Sequence, residues 1–102
     1  MQNYFDAQIA VCQEREAVLA ADDRKDEAVF EKIRANVYDI FRTVWKLNRG
    51  DAFFQEKLNT IPQNWQTAYE KAREHGDTAA MALENIKLET VKEIQQRWEA
   101  GA

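Results

Sequence analysis

The sequence contains no serine, one cysteine, one histidine, one proline and three glycines among its 102 residues. A single cysteine, Cys12, allows no disulfide within the chain. One cysteine and one histidine, His75, are too few for a zinc site of the Cys/His type. The carboxylate di-iron pattern needs two Glu-x-x-His motifs, so it is excluded too. The acidic stretch Asp22–Glu27 lacks the glycine and the spaced terminal glutamate of a calcium loop. No metal and no cofactor are expected.

Without serine there is no serine nucleophile. Cys12 falls in the middle of an apolar helical stripe, where a small thiol packs as a hydrophobe and lacks the cation or helix N-terminus that activates one. His75 sits where a helix ends and has no partner that would fix it as a base, so a structural role is expected. Gly50, Gly76 and Gly101 stand apart and form no phosphate cradle. An enzyme is therefore not expected.

Long hydrophobic runs are also missing. Nothing approaches the run of about 18 apolar residues that spans a bilayer. The opening residues, Met1 to Asp6, show neither a basic n-region nor an apolar h-region, so no signal peptide is expected and a cytoplasmic location is. The formal charge is −4 and the pI about 5.0. An acidic chain lacks the cationic surface that drives nucleic-acid binding and gains little from anionic lipid.

What is present is helix-forming. Charged residues make up 31% and hydrophobic residues 45%, the balance of a globular domain. Ala, Glu, Lys, Gln and Arg dominate the long intervals between turn residues. The pattern predicts helices over about Gln2–Ala21, from about Asp26 to Leu47 or Asn48, from Ile61 to His75, and from Asp77 to about Trp98. Asp22 or Asp23 is expected to cap the second helix, and Gly50 to end it in the left-handed conformation. Asp51–Asn59 is expected to form a short connecting helix. Thr60-Ile61-Pro62-Gln63 reads as a capping box that starts the third helix. Gly76 would end that helix, and Asp77 would cap the fourth.

Faces follow from about 100° of rotation per residue. On the first helix Phe5, Ile9, Cys12 and Leu19 share a stripe, which Tyr4, Val11 and Val18 extend on one side. On the third, Ile61, Trp65, Ala68, Tyr69 and Ala72 align. On the fourth, Ala79, Leu83, Ile86, Thr90, Val91, Ile94 and Trp98 do, with Met81 and Leu88 on the opposite side. The second helix carries two adjacent stripes: Val29, Ile33, Val37, Ile40, Val44 and Leu47, and beside it Phe30, Tyr38, Phe41 and Trp45 with Arg34 among them. Its apolar arc is wider than a surface helix needs. Ile33, Val37, Ile40, Val44, Leu83, Ile86 and Ile94 are the expected core.

The hairpin of the third and fourth helices invites comparison with two families. A DNA-reading helix-turn-helix would want a basic recognition helix, but the fourth helix sets Lys87, Lys92 and Arg97 against Glu84, Glu89, Glu93 and Glu99. A tetratricopeptide hairpin would want small or aromatic residues where Met81, Asn85 and Leu88 stand.

The expected architecture is all-α: one domain over residues 1–102, an antiparallel bundle of four main helices in two hairpins with a short connecting helix. The candidate surface for a partner protein or a second copy is Phe30, Arg34, Tyr38, Phe41 and Trp45, which could equally be core. Glu16 falls inside the apolar stripe of the first helix and is a candidate buried carboxylate, with Arg34 as a possible partner. The leading functional expectation is a non-enzymatic interaction or self-assembly domain, a homodimer being one form. The alternative is a small-ligand sensor with a pocket formed by Trp45, Tyr38, Arg34 and Glu16.

Overall fold

The computed structural model describes residues 1–101. The described residues are all-α, with four helices: α1 (Gln2–Ala21), α2 (Lys25–Lys46), α3 (Asp51–Glu74) and α4 (Thr78–Glu99). Helix α1 packs on α2 and α3 on α4, giving two helical hairpins, Met1–Leu47 and Asn48–Ala102. Among the described residues no helix is long and apolar enough to cross a membrane.

Both hairpins turn by the same device. In the first, Asp23 adopts φ 57° and the Arg24 amide donates to the Leu19 carbonyl at 2.9 Å. In the second, Gly76 adopts φ 67° and the Asp77 amide donates to the Ala72 carbonyl at 2.8 Å. Each is a left-handed residue followed by a bond reaching back five residues, which satisfies carbonyls stranded at a helix end. Asp77 then caps α4 by accepting from the Ala80 amide at 3.0 Å, as its residue type suggests. The first turn departs from expectation. The residue before α2 is Arg24, and no side chain caps that helix. Asp23 is committed to ending α1, so its carboxylate is not placed to start α2. Asp26 and Glu27 do occupy the first turn of α2, where their charge suits the helix dipole.

At the end of α2 the left-handed residue is Asn48, with φ 52°, not Gly50. Gly50, at φ 92°, instead leads into α3. The expected short helix over Asp51–Asn59 is helical but does not end. It continues through Thr60 and Pro62 into one helix that stops at Glu74, with Pro62 inside it. Thr60 is an exposed mid-helix residue, so the capping box is not formed.

Proline lacks the amide that would bond the Leu58 carbonyl four residues back, and an interior proline costs a helix about 3 kcal/mol. Two features offset this. The Leu58 carbonyl accepts from the Gln95 side-chain amide on α4 at 3.1 Å. The apolar face also runs unbroken through the proline: Phe54 and Leu58 are buried before it, Ile61 and Trp65 are half-buried beside it, and Ala72 is buried beyond.

Packing in the second hairpin centres on Phe54, Leu58, Thr90, Val91 and Ile94, all nearly or fully buried. Buried Thr90 returns its hydroxyl to the Ile86 carbonyl at 2.7 Å, so it carries no unmet polar group. Phe54 packs on Trp98 with ring centroids 4.9 Å apart, and the Trp98 indole donates to Gln55 at 2.7 Å. Met81 and Leu88, expected on the outer side of the fourth helix, are half-buried.

In the first hairpin Phe5, Ile9, Cys12, Val37, Tyr38 and Phe41 are buried. Ala28 and Ala35 are buried too, small residues that let the helices approach closely. The expected core is corrected at Ile40, which is 38% exposed. Burial follows the aromatic stripe of α2, because Tyr38 and Phe41 lie on the side that the neighbouring helix can cover. Val37 and Ile94 are buried as expected, while Ile33, Val44, Leu83 and Ile86 are half-buried.

Candidate functional site

The five residues singled out on α2 fall into two groups. Tyr38 and Phe41 are 2% and 0% exposed. They lie in the core of the hairpin, the other of the two readings their stripe allowed. Tyr38 meets Tyr4 of α1 edge-on, with centroids 6.0 Å apart, the geometry favoured by ring quadrupoles. Phe30, Arg34 and Trp45 are half-buried.

Arg34 pairs with Glu31, one turn back on its own helix, at 3.7 Å, and not with Glu16. Glu16 is half-buried rather than buried. The pairing follows from geometry. Residues three apart on a helix are neighbours, and both side chains lie low on the hairpin, 26% and 14% exposed. The pair is imperfect: Arg34 Nε and Glu31 Oε2 are buried without hydrogen-bond partners. Sequence reading missed Glu31 because it lies at the edge of the aromatic stripe, beside Tyr38 on the wheel, and reads as a solvated charge.

Cys12 lies against this pair. Burial pushes its thiol up to about 11, and the adjacent Glu31 carboxylate adds to the rise, while Arg34 opposes it. A thiol so placed stays protonated and unreactive at neutral pH. His75 Nδ1 donates to the Lys71 carbonyl at 2.7 Å, so its role is to close the end of α3. Among the described residues no three His, Cys, Asp or Glu side chains gather as a metal site.

Two surfaces remain apolar and open. The first is the flank of α2, where Val29, Ile40 and Leu47 are 47%, 38% and 55% exposed. Ile33 and Val44 lie between them, half-buried. The second is an open groove of about 570 Å³ beside the turn of the first hairpin. Val11, Val18 and Leu19 of α1 form its apolar part, and Glu14, Arg15, Glu27 and Glu31 its charged part. Val11 and Val18 were legible as a side extension of the α1 stripe. That they face solvent depends on where α2 packs, which one helix's pattern does not specify.

At the outer end of the same hairpin, Arg42 bridges Asp6 of α1 at 2.9 Å and Asp39 of its own helix at 2.7 Å. Asp6 also accepts from Gln2 at 3.1 Å. The Arg42 guanidinium, with Gln2 second, holds the Asp6 carboxyl below its ordinary value.

Compared with known proteins, the chain matches no family model, and no curated protein or solved structure is significantly similar to it.

Proposed function

We propose that this chain is a non-enzymatic, cytoplasmic interaction module that associates with a second copy of itself through the open flank of α2. The observation that carries the reading is the exposure of Val29, Ile40 and Leu47 along one side of a single helix. Isolated exposed apolar residues are ordinary, but a run of them along one element marks a contact surface.

The spacing supports a helical partner. Ile33, Val37, Ile40, Val44 and Leu47 alternate by four and three residues, the repeat that seats one helix against another. Val37 is already buried, so the positions left for a partner are Ile33, Ile40, Val44 and Leu47. A twofold contact would set this seam against its own copy, since such an interface is self-complementary. The buried, single Cys12 suits a reducing compartment, and the acidic balance suits a protein partner over nucleic acid.

Light scattering of the wild type and of Ile40→Glu/Leu47→Glu tests this. The wild type is expected to show a dimer that dissociates on dilution, and the double variant a monomer with unchanged helical circular dichroism. A wild type that stays monomeric at every accessible concentration, or a variant that stays dimeric, overturns it.

A further inference from the structure

The groove beside the turn of the first hairpin differs in character from the α2 flank. Its apolar part is formed by Val11, Val18 and Leu19 of α1, and the two valines are open to solvent. Val18 is 64% exposed and Val11 is 38% exposed. They stand seven residues apart on α1, about 10 Å along the axis, which is the distance between two anchor side chains on one face of a docked helix. Neither Ile40 nor Leu47 is among the residues that line the groove.

Its charge is one-sided. Of the four charged side chains that line it, Glu14, Glu27 and Glu31 are acidic and Arg15 is basic. Glu27 is bonded to Arg24 at the exposed turn, and Glu31 is held only loosely by Arg34. Glu31 also brings an unmet requirement: its Oε2 is buried and has no hydrogen-bond partner. A carboxylate so loosely paired keeps negative charge beside the groove, which a cation docked there would offset.

We infer that this groove docks an amphipathic helical segment of a partner protein, with apolar anchors seven residues apart and Lys or Arg beside them. The anchors sit on Val11 and Val18, and the cations face Glu14, Glu27 and Glu31. The inference rests on reading the chain as an interaction module but uses a surface separate from the α2 flank, so the two fail independently.

The test uses the full chain and two labelled synthetic helical peptides that share an apolar face with leucines seven residues apart. One carries Lys on the flanks and the other Glu. Fluorescence anisotropy is expected to show the Lys peptide binding at least about tenfold more tightly, a preference that fades with salt. Val18→Asp is expected to weaken that binding by about tenfold or more. Glu14→Lys/Glu27→Lys is expected to reverse the preference, while Ile40→Glu/Leu47→Glu leaves it unchanged. These sites are exposed, and circular dichroism checks that each variant remains folded. Equal binding of the two peptides, or binding indifferent to Val18→Asp, overturns the inference. Loss of binding in Ile40→Glu/Leu47→Glu alone also overturns it, while leaving the α2 flank as an interaction surface.

Discussion

Gln95 on α4 donates its side-chain amide to the backbone carbonyl of Leu58, the carbonyl that Pro62 leaves without its helical partner. Gln95→Ala should therefore cost about 1–3 kcal/mol, the penalty of stranding a buried acceptor. In a Pro62→Ala background the restored amide at position 62 can bond Leu58, and the cost of losing Gln95 should fall by about 1 kcal/mol. Denaturant titration of the four proteins measures the coupling. Equal costs in both backgrounds would show that Gln95 does not compensate for the proline.

The paired turns make opposite predictions for similar substitutions. Asp23 holds a left-handed conformation that glycine adopts freely, so Asp23→Gly should stabilise the chain by up to about 1 kcal/mol. Gly76→Ala should destabilise by about 1 kcal/mol. A Cβ at position 76 would meet nothing within 4 Å, so the effect reports backbone conformation alone. Thermal melts of the two variants should move in opposite directions.

Along α2, adjacent positions should differ sharply. Phe41→Ala should cost about 3–5 kcal/mol, the range for emptying a buried aromatic site. Ile40→Ala, at a position 38% exposed, should cost about 1 kcal/mol or less. Comparable losses at the two sites would mean that α2 is rotated from the orientation described.

The Cys12 thiol should resist alkylation in the folded chain at neutral pH and react freely once the chain unfolds. Its folded value of about 11 lies above the ordinary thiol value. The stabilisation linked to it is therefore fully present below about pH 8.5, where the unfolded thiol is protonated, and is lost as pH rises through the folded value. Glu31→Gln should lower the value, because it removes the negative charge while leaving burial in place. Rates of iodoacetamide reaction against pH provide the readout.

Asp6 has the opposite sign. Its folded value is depressed by Arg42 and Gln2, so the linked stability is present above about pH 4 and is lost as pH falls through the folded value. Arg42→Met should bring the Asp6 carboxyl up toward the ordinary aspartate value in an NMR titration. No movement would show that the bridge to Asp6 does not persist in solution.

The helical class was legible because apolar spacing and helix-forming residues agree along most of the chain. The Gly76–Asp77 turn was legible because each residue type has one favoured role there. Pro62 misled the boundary reading because its rescue comes from Gln95, 33 residues further along the sequence, and local chemistry cannot announce a distant donor. Ile40 was misplaced for a related reason. Helix α2 carries two apolar stripes side by side, and its own periodicity does not say which one α1 covers. The Glu16–Arg34 pairing failed because Glu31, one turn from Arg34, competes from the same helix.

Because α1 packs on α2, residues 1–47 contain both helices of the first hairpin. Contacts so close in sequence close quickly. A ribosome adds about 5–20 residues per second, so the first hairpin can fold while residues 48–102 are still being made. During those seconds a folded hairpin would already present the exposed side chains of Ile40 and Leu47. On the proposed pairing through the α2 flank, neighbouring copies translated from one message would meet at that stage, before either chain is finished.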